Sequence, residues 1–99
     1  MAIWAQAQGS ELRIHVEGRF DFSSHEEFRA AYQQHPVEFE RYQVEMRKTT
    51  YLDSSALGML LLLREHAGGE TAEICLANCN ADVRRILNIS NFEQLFTIE

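Results

Sequence analysis

Ninety-nine residues suffice for one compact domain with a single core. A content of 45% apolar and 24% charged residues excludes a globally disordered chain. The formal net charge is −6 and the nine basic residues are scattered, which argues against nucleic acid and against an anionic membrane as partners.

The longest apolar run, 59–63, is far too short to span a bilayer. Met1-Ala2-Ile3-Trp4 meets polar residues at once, without the basic start and apolar middle of a cleavable signal, so cytoplasm is the expected location. Cys75 and Cys79 form a C-x3-C pair, neither a redox C-x-x-C nor half of a zinc site. Reduced, structural thiols are expected.

Ile3, Ala5 and Ala7 alternate with polar residues, and Gln8-Gly9-Ser10 supplies a turn before Leu12, Ile14 and Val16 alternate again. The pattern predicts a β-hairpin. After Gly18, Ser24 with Glu27 three residues on reads as a capping box. The helix that follows carries Phe28, Ala31, Tyr32 and His35 on one face, and Pro36 stops it. Tyr42, Val44 and Met46 mark a third strand, with 49–53 as a short connection. A second helix runs from Ser54 to about His66 and ends at Gly68-Gly69. A fourth strand covers 72–77, and Asn80 caps a third helix bearing Val83, Ile86 and Leu87. Phe92, Leu95, Phe96 and Ile98 form a half-turn and a short edge strand.

The expected architecture is therefore one α/β domain over residues 1–99, in the order β-β-α-β-α-β-α-β. Its sheet is mixed and four- to five-stranded, with helices mostly on one face, because the strands alternate apolar with charged residues. The second and third strands form a right-handed, parallel crossover, so the segments 18–23 and 49–53 emerge at the same edge. Sites in such sheets sit at the carboxyl ends of strands.

At that edge Asp53, Ser54 and Ser55 open a helix, and they read in two ways. As caps they satisfy the helix's first free N–H groups, worth about 1 kcal/mol. As a regulatory site, a serine here accepts a phosphate that the helix N-terminus tolerates. A charge of about −2 beside Asp53 and Asp21 would repel a docked partner while the core barely changes. The helix wheel puts Met59, Leu62, Leu63 and His66 toward the sheet and leaves Leu57 and Leu61, next to Arg64, for docking or for cover by a neighbouring element. The four histidines show no Ser-His-acid logic, no phosphate-cradling loop is present, and no metal-ligand set converges. Neither catalysis, nor a metal, nor a cofactor is expected.

The stretch Tyr51-Leu52-Asp53-Ser54-Ser55-Ala56-Leu57-Gly58 resembles the signature of the STAS domain family, specifically the bacterial anti-sigma-factor antagonists. Val83-Arg84-Arg85-Ile86-Leu87-Asn88-Ile89-Ser90-Asn91-Phe92 is similar to that family's last helix and following turn, so the likeness covers essentially the whole chain. Gly18-Arg19-Phe20-Asp21 stands where the family has Gly-Glu-hydrophobic-Asp; Asp21 is kept and Arg19 replaces the acid. Ala56 replaces a frequent Gly.

The resemblance implies partner switching. The unphosphorylated form would bind an anti-sigma factor, often a serine kinase of histidine-kinase-like ATPase fold, and free a sigma factor. Phosphorylation would end the contact and a PP2C-type serine phosphatase would restore it. The implied acceptor is Ser54, with Ser55 second. Partner contact would involve Asp21, Asp53, Ser54, Ser55, Leu57, Gly58, Leu61 and Arg64. The alternative within the family is an accessory subunit docked on the ATPase of an ABC-type transporter, which needs no phosphorylatable serine.

Overall fold

The computed structural model describes residues 2–35 and 38–99. Strands β1 (Ala2–Gln8) and β2 (Glu11–Phe20) form the expected antiparallel hairpin, turning at Gly9 with φ +60°. Helix α1 (His25–Gln33) follows, then β3 (Arg41–Glu45), β4 (Thr49–Leu52) and α2 (Ser54–His66). The chain closes with β5 (Ile74–Ala77), α3 (Ala81–Ile89) and β6 (Thr97–Ile98). Short 3-10 turns stand at Phe22–Ser24, Gly69–Thr71 and Phe92–Gln94.

The sheet runs β1-β2-β3-β5-β6, with β4 also on β2, and every pairing except the hairpin is parallel. It has six strands, one more than the four to five expected, and the addition is 49–52. Rather than a loop, this segment is a strand that pairs with Gly18, Arg19 and Phe20. Along β2 the partner register runs from Arg41 opposite Glu11 to Leu52 opposite Phe20, so β3 and β4 act as one line, with a one-residue slip between them and a second at Gly18/Arg19. The excursion 46–48 is fastened at both ends. Thr49 N–H donates to the Met46 carbonyl at 3.1 Å, and Gly18 N–H donates to the Lys48 carbonyl at 2.9 Å. Thr49 is fully buried, and its hydroxyl donates to the Val16 carbonyl at 2.8 Å.

One sheet face carries the core. Leu12, Ile14, Val16, Val44 and Leu76 meet Phe28 and Tyr32 of α1, Met59, Leu60 and Leu63 of α2, and Val83 and Leu87 of α3. Each such side chain, fully buried, contributes roughly 1.5–3 kcal/mol. The opposite face is polar, with Arg13 on Glu11 at 3.1 Å and the Trp4 ring stacked on His15 at 4.8 Å. The helices thus cover one face, as the alternation requires.

Two local expectations are corrected. The capping box belongs to Asp21 and Ser24 and opens the 3-10 turn, while Ser24 makes no side-chain cap to α1. On α2 the buried set is Ala56, Met59, Leu60 and Leu63; Leu62 is half-exposed and His66 is exposed, though its ring rests 4.8 Å from Tyr32. A run of four leucines offers no polar residue to fix the phase of the wheel, whereas the spacing 56, 59, 60, 63 matches a core stripe. Helix α1 ends at Gln33, and the expected stop at Pro36 falls outside the described residues.

Candidate functional site

Because Phe20 sits opposite Leu52, the residues that follow them, Asp21 and Asp53, leave neighbouring parallel strands side by side. Asp53 N–H reaches the Phe20 carbonyl at 3.4 Å, which ties the two exits together. Asp53 itself is extended, and its carboxylate accepts from Ala56 N–H at 3.0 Å, capping α2. Ser54 is then the first helical residue and is exposed; Ser55 is half-buried. Among the described residues neither hydroxyl is held in a hydrogen bond. The first turn of α2 holds no acidic side chain beyond the Asp53 cap, so the remaining free N–H groups and the positive dipole end lie beside Ser54.

Asp21 is engaged on all sides. It accepts from the Ser23 hydroxyl at 2.6 Å, from Ser23 N–H at 3.0 Å and from Arg19 Nε at 3.3 Å. The Ser23 hydroxyl is the main cause holding its carboxyl below the usual value of 3.8; burial opposes this, and the Ser23 N–H and Arg19 reinforce it. Arg19 also lies over the Tyr51 ring, 4.1 Å from its centroid. This cation–π contact, about 0.5–1 kcal/mol when exposed, places a positive group where the resembled motif has an acid.

Helical spacing of about 100° per residue puts Ser54, Gly58 and Leu61 in one row with Leu57 beside it, diametrically opposite the buried set. Leu61 is exposed, and Arg64, on the flank, is half-buried. Leu57 does not lie free on the surface: it packs partly against the core. Gly58 is exposed, and a Cβ added there would meet nothing within 4 Å. Sequence reading missed Phe22, 79% exposed beside Asp21, and Tyr51, 41% exposed under Arg19. A phenylalanine set in the polar turn 21–25 was the signal for the first, and an aromatic opposite Arg19 for the second only once β4 is recognised as a strand.

Other candidates stay apart from this turn. Three histidines rest on aromatic rings: His15 on Trp4, His66 on Tyr32 and His35 on Phe39. Among the described residues no three His, Cys, Asp or Glu side chains gather to hold a metal ion, and no helix is long and apolar enough to cross a membrane. Both cysteines are free thiols, and burial against Met46 and the sheet pushes Cys79 up to about 11.

The family model described as "Mlab, STAS domain" matches residues 3–97. A STAS-domain containing protein of Pseudomonas aeruginosa (strain UCBPP-PA14) is 62% identical over 100 residues, covering 99% of each chain. Among solved structures, the anti-sigma factor antagonist SpoIIAA in its unphosphorylated form superimposes with a TM-score of 0.79 at 18% identity, over 99% of this chain and 88% of that one. A sulfate transporter family protein from Wolinella succinogenes gives 0.77 at 13% identity, over 91% and 74%. At such identities the two structures establish a shared fold.

Proposed function

The chain belongs to the STAS domain family, and from that premise we propose that it is an anti-sigma factor antagonist whose hold on its partner is set by phosphorylation of Ser54. One observation carries the reading. Ser54 offers an unengaged, exposed hydroxyl at the first position of α2, on the side away from the core and beside two carboxylates. A phosphate there adds a charge of about −2 that free helix N–H groups accept, so the fold persists while a docked protein meets concentrated negative charge.

Around the turn lies a surface suited to docking. Phe22, Tyr51 and Leu61 supply apolar contact, Arg64 and Arg19 supply charge, and Gly58 leaves the helix backbone open to close approach. The partner of this reading is an anti-sigma factor, itself a serine kinase of histidine-kinase-like ATPase fold, with a PP2C-type phosphatase resetting the switch in the cytoplasm. Ser55 is the second acceptor, and its half-buried position makes it the poorer one.

The test is phosphorylation of the purified chain by the cognate kinase with ATP, site mapping by mass spectrometry, and calorimetric titration of both forms with the partner. Phosphate on Ser54 and an affinity lower by about 100-fold, roughly 2.7 kcal/mol, are expected. Equal affinities would sink the reading. The fold shared with the sulfate transporter family protein favours a second one, a domain docked permanently on a transporter ATPase. That complex would tolerate Ser54→Asp, whereas the switch would lose its partner.

A further inference from the structure

The sheet has three free margins, and they are guarded unequally. At one end β6 has only two residues, and β4 has four with a register shift in its pairing to β2. At the other end β1 runs seven residues, paired to β2 without any irregularity, and among the described residues no strand lies on its outer side. Proteins blunt such edges with Lys, Pro, bulges or brevity, since the outward N–H and C=O groups otherwise template another strand. Residues 2–8 contain no charge, no proline and no glycine. Helix α1 covers β1 from one face, with Ile3 and Ala5 packed against the core.

We propose that β1 is a self-association edge, through which two copies pair antiparallel into one continuous sheet. Charge is what selects a second copy as the occupant. In a chain of net charge −6, residues 1–10 are one of two ten-residue stretches without a charged side chain; the other is 54–63, on the helix assigned above to docking. Two acidic molecules can therefore meet along β1 without a carboxylate on either of the paired strands. In any two-fold antiparallel register, Ile3, Ala5 and Ala7 face their own kind on the helix side, and Trp4, Gln6 and Gln8 do so on the open side. Glu27 of α1 borders Ile3, Trp4 and Ala5, while the acids of β2, Glu11 and Glu17, stay three strand spacings from their counterparts. That separation is roughly 14 Å, beyond the screening length of about 8 Å. Because β3 and β4 line the other edge of β2, both Asp53 turns of the pair remain free.

Sedimentation equilibrium of the purified full chain, loaded up to roughly 1 mM, tests this directly. The expected result is a monomer–dimer equilibrium, and protection of β1 amides from hydrogen exchange that rises with concentration. The double variant Gln6→Lys/Gln8→Lys alters exposed side chains only, so its circular dichroism should match the parent while its dimerisation weakens at least tenfold. Mixing it with Gln6→Glu/Gln8→Glu should restore association between unlike chains. A parent that stays monomeric throughout overturns the proposal. So does a dimer indifferent to these charges, or a mixture that fails to associate.

Discussion

At the end of β2, Asp21 gathers every polar neighbour: both serines of the sequence 21–24 are tied in, Ser23 to the carboxylate and Ser24, fully buried, between the Asp21 N–H and the Arg19 carbonyl. At the end of β4, Asp53 takes one helix N–H and leaves Ser54 and Ser55 unengaged. The same residue types thus build a closed turn and an open one, side by side at the ends of adjacent strands. Serine next to an aspartate at a helix start is therefore no signal by itself. On the reading proposed above, what separates a structural serine from a phosphate acceptor is whether the fold has already used the hydroxyl.

The sharpest break of that comparison is a matched pair of charges. Ser24→Asp should cost on the order of 4 kcal/mol in urea denaturation, because it buries an unpaired carboxylate. Ser54→Asp should shift the same curve by no more than about 0.5 kcal/mol, its charge being favoured at a helix N-terminus. Comparable losses for both would mean that the second turn is as closed as the first. Next in size, Asp53→Ala should lower stability by about 1 kcal/mol through loss of the cap, with the sheet intact by amide chemical shifts.

Behind the open turn, Gly58→Ala should raise the unfolding free energy by about 0.5–1 kcal/mol, since helix propensity improves and nothing in the domain crowds the new methyl. The same change should weaken the partner complex in calorimetry, and a stabilised variant that binds unchanged would remove Gly58 from the interface. The smallest effect lies in acid. Asp21's carboxyl is lowered in the folded state, so the unfolded chain takes up the proton first. Its contribution is complete above 3.8 and drains away as pH falls through the lower folded value. Asp21→Asn should flatten that limb in thermal melts between about pH 5 and pH 2.

Much of this was legible beforehand. Alternation marked β1, β2 and β3, Asn80 marked the start of α3 by its bond to Val83 N–H, and the parallel β2–β3 crossover followed from the order of elements. Three things were not. The strand 49–52 is four residues long with only Leu52 of its large side chains inside, so it shows no period, although Thr-Thr-Tyr favours extended chain. Adjacent leucines carry no phase, so the sequence does not show that Leu60 is core and Leu62 is not. The Ser24–Glu27 pattern fitted a capping box, but a nearer competitor, Asp21, claimed Ser24 first. For the site, the turn and its serines could be read from sequence, whereas Leu57's lodging against the core and the Arg19–Tyr51 stack needed the strand register.

The Thr49 hydroxyl anchored on Val16 has an implication for how information leaves the turn. The strand that carries Asp53 is moored to the sheet interior upstream of the helix, which holds the sheet in place when the helix start is recharged. On the reading proposed above, a phosphate placed there would be sensed at the surface that carries it. Spectra of the two forms should differ only within a turn or so of Ser54.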